Sequence, residues 1–156
     1  LMGISREIGL AHTSLKRNLE YLAKEGIIKE AIFKKGSRKY PVYTAKTDSA
    51  TYKRAKRTYN ITSITESGLV EHIADSLMPR CIILFGSYAR GEDVEESDID
   101  LFIECKEQKV ELERFEKALK RKIQLHFRDK FTALPNEIKN NIINGVVLHG
   151  FLEGYK

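Results

Sequence analysis

A chain of 156 residues, 42% of them apolar, can bury one ordinary domain or two very small ones. No apolar run approaches the ~20 residues that cross a bilayer, and the opening LMGISREIGL lacks the basic start and apolar stretch of a signal peptide, so a cytoplasmic protein with no membrane partner is expected. The net charge of +5 conceals an asymmetry: residues 1–60 carry 14 Lys/Arg against 5 Asp/Glu, and residues 61–156 carry 13 against 17, which points the first part, not the second, towards a polyanion.

From the N-terminus, Ser5 is the expected N-cap of a short helix through Ala11. Thr13 or Ser14 would cap a second helix that carries Leu15, Leu19 and Leu22 at helical spacing and stops at Gly26. Ile28 to Phe33, the polar tip KKGSRK and Tyr40 to Thr44 then read as a β-hairpin with Gly36 at its turn. Helix, three-residue turn around His12, longer helix and hairpin follow one another as in a helix-turn-helix with a wing. This segment, residues 1–46, resembles the winged-helix family of prokaryotic regulators.

The resemblance implies binding to double-stranded DNA. With Leu15, Leu19 and Leu22 turned inward, Thr13, Ser14, Lys16, Arg17 and Asn18 remain near the start of the helix that such domains place in the major groove. Lys34, Lys35, Arg38 and Lys39 crowd the wing tip, within reach of phosphates. Winged-helix domains commonly read paired sites as homodimers, and they normally begin with a further helix packed under these two. Its absence, with Leu1 where an initiator Met would stand, leads to the expectation that residues precede Leu1.

Residues 47–78 read as a helical connector. Ser49 would cap a basic helix with Tyr52, Ala55 and Tyr59 on one side, and a second helix would run from about Glu66 to Met78. Neither repeats nor low-complexity tracts interrupt the chain, which argues against a long flexible linker.

The stretch CIILFGSYARGEDVEESDIDLFIEC carries the chemistry. Cys81 to Phe85 is an apolar run of strand length that ends at Gly86-Ser87, and Tyr88 to Gly91 can start a short helix. Such a turn exposes backbone N–H groups and the Ser87 hydroxyl to phosphate oxygens. Ten residues on, Asp98-Ile99-Asp100-Leu101-Phe102-Ile103 alternates, which puts both carboxylates on one face of a strand about 7 Å apart along the backbone. Two such carboxylates can converge on divalent cations, and paired cations roughly 4 Å apart clamp both oxygens of an in-line phosphoryl displacement. Cys81 and Cys105 lie outside any CxxC or Cys/His spacing and read as reduced, packed thiols.

Gly86, Ser87 and Asp98-Ile99-Asp100-Leu101 resemble the signature of the polymerase-β-type nucleotidyltransferase superfamily, and GSYARG…SDIDL is especially like its minimal nucleotidyltransferases. The domain implied is 79–156. By that resemblance Gly86 and Ser87 bind the triphosphate of a nucleoside triphosphate, Arg90 contacts a phosphate, and Asp98 and Asp100 are the catalytic, Mg2+- or Mn2+-ligating pair. Catalytically able members carry a third carboxylate on a later strand. Here that strand is Lys122 to Phe127, with Ile123, Leu125 and Phe127 facing one way and Gln124 and His126 the other, so Gln124 falls where the acid is expected. A neutral amide holds a hard cation poorly and cannot act as a base near neutral pH. His126 as base, Asp129 from the strand's end, or a register one residue away are the alternatives.

The remaining chain reads as a helix from about Glu111 to Lys120 with Glu113–Lys117 and Glu116–Lys120 pairs, a helix near Asn136 to Asn144, and an apolar run from Val146 to Leu152. The fold class expected is α+β: a winged helix-turn-helix followed by a small nucleotidyltransferase-like mixed sheet flanked by helices. The function expected is transfer of a nucleotidyl group to an unknown acceptor by a DNA-anchored domain. The alternative is a transcriptional regulator whose nucleotidyltransferase-like domain senses nucleotides or mediates interaction without turnover. A protein acceptor or a small helical partner protein is a further expectation.

Overall fold

In the computed structural model, which describes residues 2–153, the chain divides into two units, Leu1–Ala55 and Lys56–Lys156. The first opens with α1 (Met2–Ile8) and α2 (His12–Lys24). Ser5 lies inside α1 instead of capping it, and its hydroxyl donates to the Leu10 carbonyl at 2.6 Å. α2 begins one residue ahead of Thr13, with Ala11 at the cap position and no side-chain cap; its first backbone bond runs from Leu15 N–H to the Ala11 carbonyl at 2.9 Å. Leu15 and Leu19 are buried and Leu22 is half-buried, so the expected stripe does face inward. Gly26 follows the helix end, and β1 (Ile28–Lys35) pairs antiparallel with β2 (Arg38–Ala45) across a two-residue turn at Gly36 and Ser37.

Ser49 caps α3 (Ala50–Glu66): its Oγ accepts from Tyr52 N–H at 3.0 Å and donates to the Gly26 carbonyl at 3.2 Å. The buried side of α3 is not the one expected from Tyr52, Ala55 and Tyr59. Tyr59 is 69% exposed, and the inward positions are Asn60 and Ile64, one turn apart. Aromatic residues on a helix thus misled the periodicity, because a polar side chain occupies the core position.

The second unit continues with α4 (Leu69–Leu77), β3 (Cys81–Phe85), α5 (Gly86–Arg90), β4 (Ile99–Ile103), α6 (Glu113–Leu119), β5 (Ile123–Phe127), a single 3-10 turn at Phe131–Ala133, α7 (Asn136–Ile143) and β6 (Val146–Gly150). The strand order is β5-β4-β3-β6, with β3 antiparallel to both neighbours and β5 parallel to β4. This is a mixed sheet flanked by helices, as expected.

β3 is buried along its whole length, and its period of two divides the interior. Ile82 and Leu84 join Ile99, Leu101 and Ile103 against Leu69, Val70, Ile73 and Leu77 of α4 and Phe115 of α6. Cys81, Ile83 and Phe85 join Phe102, Phe131, Leu134 and Ile142 on the other face. Each fully buried Ile, Leu or Phe contributes about 1.5–3 kcal/mol relative to exposure. α4, expected as part of a connector, is therefore an integral layer of this domain.

Glu116 also departs from expectation. Its carboxylate accepts from Ile123 N–H at 3.0 Å and pairs with Lys122 at 3.1 Å, not with Lys120, which ends α6 in the left-handed region. Those two contacts, the backbone one foremost, hold its carboxyl below the ordinary range. β6 pairs along the other edge of β3: Gly150 approaches so closely that a Cβ there would lie 1.9 Å from the Arg80 carbonyl oxygen, and its φ of +71 also favours glycine. Among the described residues no helix is long and apolar enough to cross a membrane.

Candidate nucleotide and metal site

The site begins where β3 runs into α5. Phe85 is extended, Gly86 takes φ +78, and the chain turns directly into helix. At such a turn the first backbone N–H groups of the helix have no intrahelical acceptor and face outward. Gly86 is demanded twice over. Its backbone lies in the left-handed region, and a Cβ would sit 2.5 Å from Oδ2 of Asp100. The register of β3 on β4 sets Phe85 opposite Asp100, so the Asp100 carboxylate rests against the Gly-Ser bend.

Asp98 immediately precedes β4 and Asp100 lies within it, both half-buried, while Ile99 between them points into the core. Their side chains share a face, because each bonds a residue from the same face of β5. Gln124 Nε2 donates to Asp98 Oδ2 at 2.5 Å, and His126 Nε2 lies 3.1 Å from Asp100 Oδ1. An ionised carboxylate only accepts, so His126 contributes the N–H and its Nδ1 keeps the lone pair when the ring is neutral. Phe85 meets the His126 ring edge-on at 5.1 Å between centroids, which fixes the ring's tilt.

The register Asp100–Gln124 and Phe102–His126 brings the amide and the imidazole to the carboxylates as the alternation of β5 implied. Asp129, the other alternative, lies beyond the end of β5. Arg90, at the end of α5, is about half exposed, and its Nε donates to Glu92 at 2.8 Å.

The donor set suits one hard divalent cation: two carboxylates on one face, against a bend that tolerates no Cβ. Among the described residues no group of three or more His, Cys, Asp or Glu side chains is arranged to hold a metal ion. Gln124 turns its N–H, not its oxygen, to Asp98 and so acts as a hydrogen-bond donor to that carboxylate. Asp98 lines one cleft and His126 another. One, of about 470 Å³, runs from Asp98 past Ser97, Glu116, Lys120 and Lys122. The other, of about 200 Å³, runs from His126 over Phe102, Leu134 and Ile138 to Arg128.

The residues expected to meet DNA belong to the first unit. Thr13, Ser14, Lys16, Arg17 and Asn18 are exposed on α2, where Lys16 lies 3.8 Å from Glu20. Lys34, Lys35, Arg38 and Lys39 are exposed and directly paired across the hairpin tip, Lys34 with Lys39 and Lys35 with Arg38.

One group of buried polar residues left no trace in the sequence reading. Asn60 and Asp93 are 2% and 4% exposed, and their side chains bond each other at 2.8 Å. Asn60 could have been suspected from its place one turn before Ile64. Asp93 sits in an acidic loop with nothing to single it out.

The chain is similar to known proteins in two respects. The family model described as "Polymerase beta, Nucleotidyltransferase" matches residues 69–150, from the start of α4 to the end of β6. A 35-residue stretch is 54% identical to a Methanocaldococcus jannaschii protein called "Putative protein adenylyltransferase MJ1379", covering 22% of this chain and 35% of that protein. The matched stretch thus spans about a third of that relative's length. The match from α4 to β6 takes in more than half of the chain and the whole sheet that carries Gly86, Ser87, Asp98 and Asp100, and the chain belongs to the polymerase β nucleotidyltransferase family.

Proposed function

We propose that the second unit transfers a nucleotidyl group from a nucleoside triphosphate to a hydroxyl acceptor. The observation that carries this reading is the contact of the Asp100 carboxylate with the Gly86-Ser87 bend, which unites a phosphate-binding turn with a paired acid. Asp98 and Asp100 would hold Mg2+ or Mn2+. When bound, the cation neutralises phosphate charge as the bond to the leaving group breaks.

The chain's own groups account for the other needs of the reaction. Ser87 and the amides of the bend hold phosphate oxygens. The acceptor oxygen forms a bond to the α-phosphorus, the bond to the bridging oxygen breaks, and pyrophosphate leaves with that electron pair. His126, oriented through its N–H on Asp100, receives the acceptor proton at Nδ1. The cleft that Asp98 lines, about 470 Å³, would leave room for one of the reactants beside that carboxylate. The name of the M. jannaschii relative favours ATP as donor and a protein as acceptor.

The first unit, on this proposal, is a winged helix that anchors the enzyme to double-stranded DNA through Thr13, Ser14, Lys16, Arg17 and Asn18 of α2 and Lys34, Lys35, Arg38 and Lys39 of the hairpin. Support comes from the order of helices and hairpin, the exposure of those side chains and the positive balance of residues 1–60.

A second reading rests on Gln124. Its hydrogen bond to Asp98 occupies the place of a third acid with a neutral group, which suits a regulator that binds nucleotide without turning it over. Incubation with α-labelled ATP, CTP, GTP or UTP and Mg2+ or Mn2+, beside an Asp98→Ala/Asp100→Ala variant, separates the two. Label transferred by the wild type and lost in the variant supports transfer. Binding without transfer supports the sensor.

A further inference from the structure

We propose that Asn60 and Asp93 are positioning residues for nucleotidyl transfer, acting together as a buried clamp that holds the Gly86-Ser87 bend in register with Asp98, Asp100 and Gln124. The inference rests on the transfer reading above and names residues outside the machinery it describes.

Burying a polar side chain is unfavourable unless its hydrogen bonds are satisfied, so an Asn at a core position of a helix requires a reason that an Ile at the same place would not meet. Here the reason is visible in its partners. The Asn60 Nδ2 group spends its two N–H donors on the Tyr88 carbonyl at 2.9 Å and on Asp93 Oδ1 at 2.8 Å. Both acceptors belong to the segment that leads from Ser87 to Asp98. Within that segment Glu92 N–H reaches back to the Ser87 carbonyl at 3.0 Å, so the loop is closed on the residue that begins the phosphate-binding turn.

Asp93 extends the clamp. Its carboxylate lies 3.2 Å from Lys56 Nζ on α3 and 3.8 Å from Arg121 on the turn that leads into β5, and Lys56 also bonds the Asp93 carbonyl. The Asp93 side chain is 1% exposed, and Lys56 and Arg121 are 22% and 20% exposed, so these charges meet largely out of water, where an unpaired member is costly. Arg121 stands three residues before Gln124. One buried carboxylate and one buried amide therefore join α3, the middle of α5, the loop before Asp98 and the entry to β5. Those are the backbone segments that set the positions of Ser87, Asp98 and Gln124.

The test uses the full chain with Asn60→Ala, Asp93→Asn and the milder Asn60→Ser, which carries the test where a harsher variant does not fold. Transfer from α-labelled NTP is measured well below each variant's unfolding midpoint, together with hydrogen exchange of the backbone amides from Gly86 to Asp98. A misplacement on the order of 1 Å lowers kcat about 100-fold, with KM for the nucleotide changed less than about threefold. Exchange at Gly86 to Asp98 should quicken by about tenfold or more while β3 and β4 stay protected. If the wild type transfers label and the folded variants keep kcat within about twofold, the clamp is only structural and the proposal is overturned. If the wild type transfers nothing, the transfer reading fails, and slow exchange at Gly86 to Asp98 in the variants would overturn the clamp independently.

Discussion

Gly86 and Asp100 touch in a way that leaves no room for a methyl group: a Cβ on the glycine would meet the carboxylate oxygen at 2.5 Å. The Gly86-Ser87 bend and the acid therefore cannot be varied separately. Gly86→Ala should cost about 1–2 kcal/mol from its left-handed backbone alone. It should also push Asp100 aside, reducing transfer to background while the domain remains folded. Urea unfolding followed alongside labelled transfer checks both, and a Gly86→Ala protein with wild-type transfer would show that the contact is dispensable.

Gln124 stands beside Asp98 with a neutral amide. Gln124→Glu supplies a third negative group on the same face, so affinity for Mg2+ or Mn2+ should rise on the order of tenfold and transfer should rise with it. Without cation the variant should be less stable than wild type, because like charges then face one another. Titration calorimetry with each metal and melting with and without it give the comparison. No gain in metal affinity would remove Gln124 from the place assigned to it.

Arg17 on α2 and Lys35 at the hairpin tip are exposed cations of the first unit. An Arg17→Ala/Lys35→Ala variant should bind duplex DNA more weakly, and the slope of log affinity against log salt should fall by about two if each residue neutralises one phosphate. Fluorescence anisotropy over a salt series measures this. An unchanged slope would dissociate these side chains from DNA.

Cys81 is fully buried beside Glu104, whose carboxylate lies 3.7 Å from its sulfur. Burial first, and the neighbouring charge second, push its thiol up from 9.0 to about 12. A group whose folded value is raised contributes stability below its unfolded value and loses that contribution as pH rises towards the folded one. Between pH 9 and about 12 the wild type should therefore lose stability faster than Cys81→Ala, by on the order of 1 kcal/mol per pH unit. Denaturant melts at pH 8, 9.5 and 10.5 test the slope, and equal slopes would contradict it. Alkylation of Cys81 in the native protein should be slow, and released on unfolding.

The sheet could be read from the chain because its strands announce themselves locally. Cys81 to Phe85 is unbroken apolar, and Ile99 to Ile103 and Ile123 to Phe127 alternate, so each strand's faces follow from its own residues. The same alternation placed Gln124 and His126 opposite Ile123 and Leu125, and Gln124 duly meets Asp98. Helix starts were less legible, since α2 begins with Ala11 at its cap position, without the hydroxyl cap that was expected. Least legible was the link between Asn60 and Asp93: a polar contact between distant residues leaves no period in either segment, and the aromatic residues of α3 suggested the wrong face.

β3 sits between β4, its neighbour in sequence, and β6, which is nearly the last element of the chain. During synthesis the strand that leads into the Gly86-Ser87 bend can acquire one partner early, but its second edge stays open until Val146 to Gly150 has left the ribosome. For that interval an unbroken apolar strand presents unpaired amides and carbonyls, the kind of surface that recruits chaperones or mispairs with another nascent chain. Truncation or slow translation near residue 146 would thus harm the yield of folded protein more than its distance from Asp98 and Asp100 in sequence suggests.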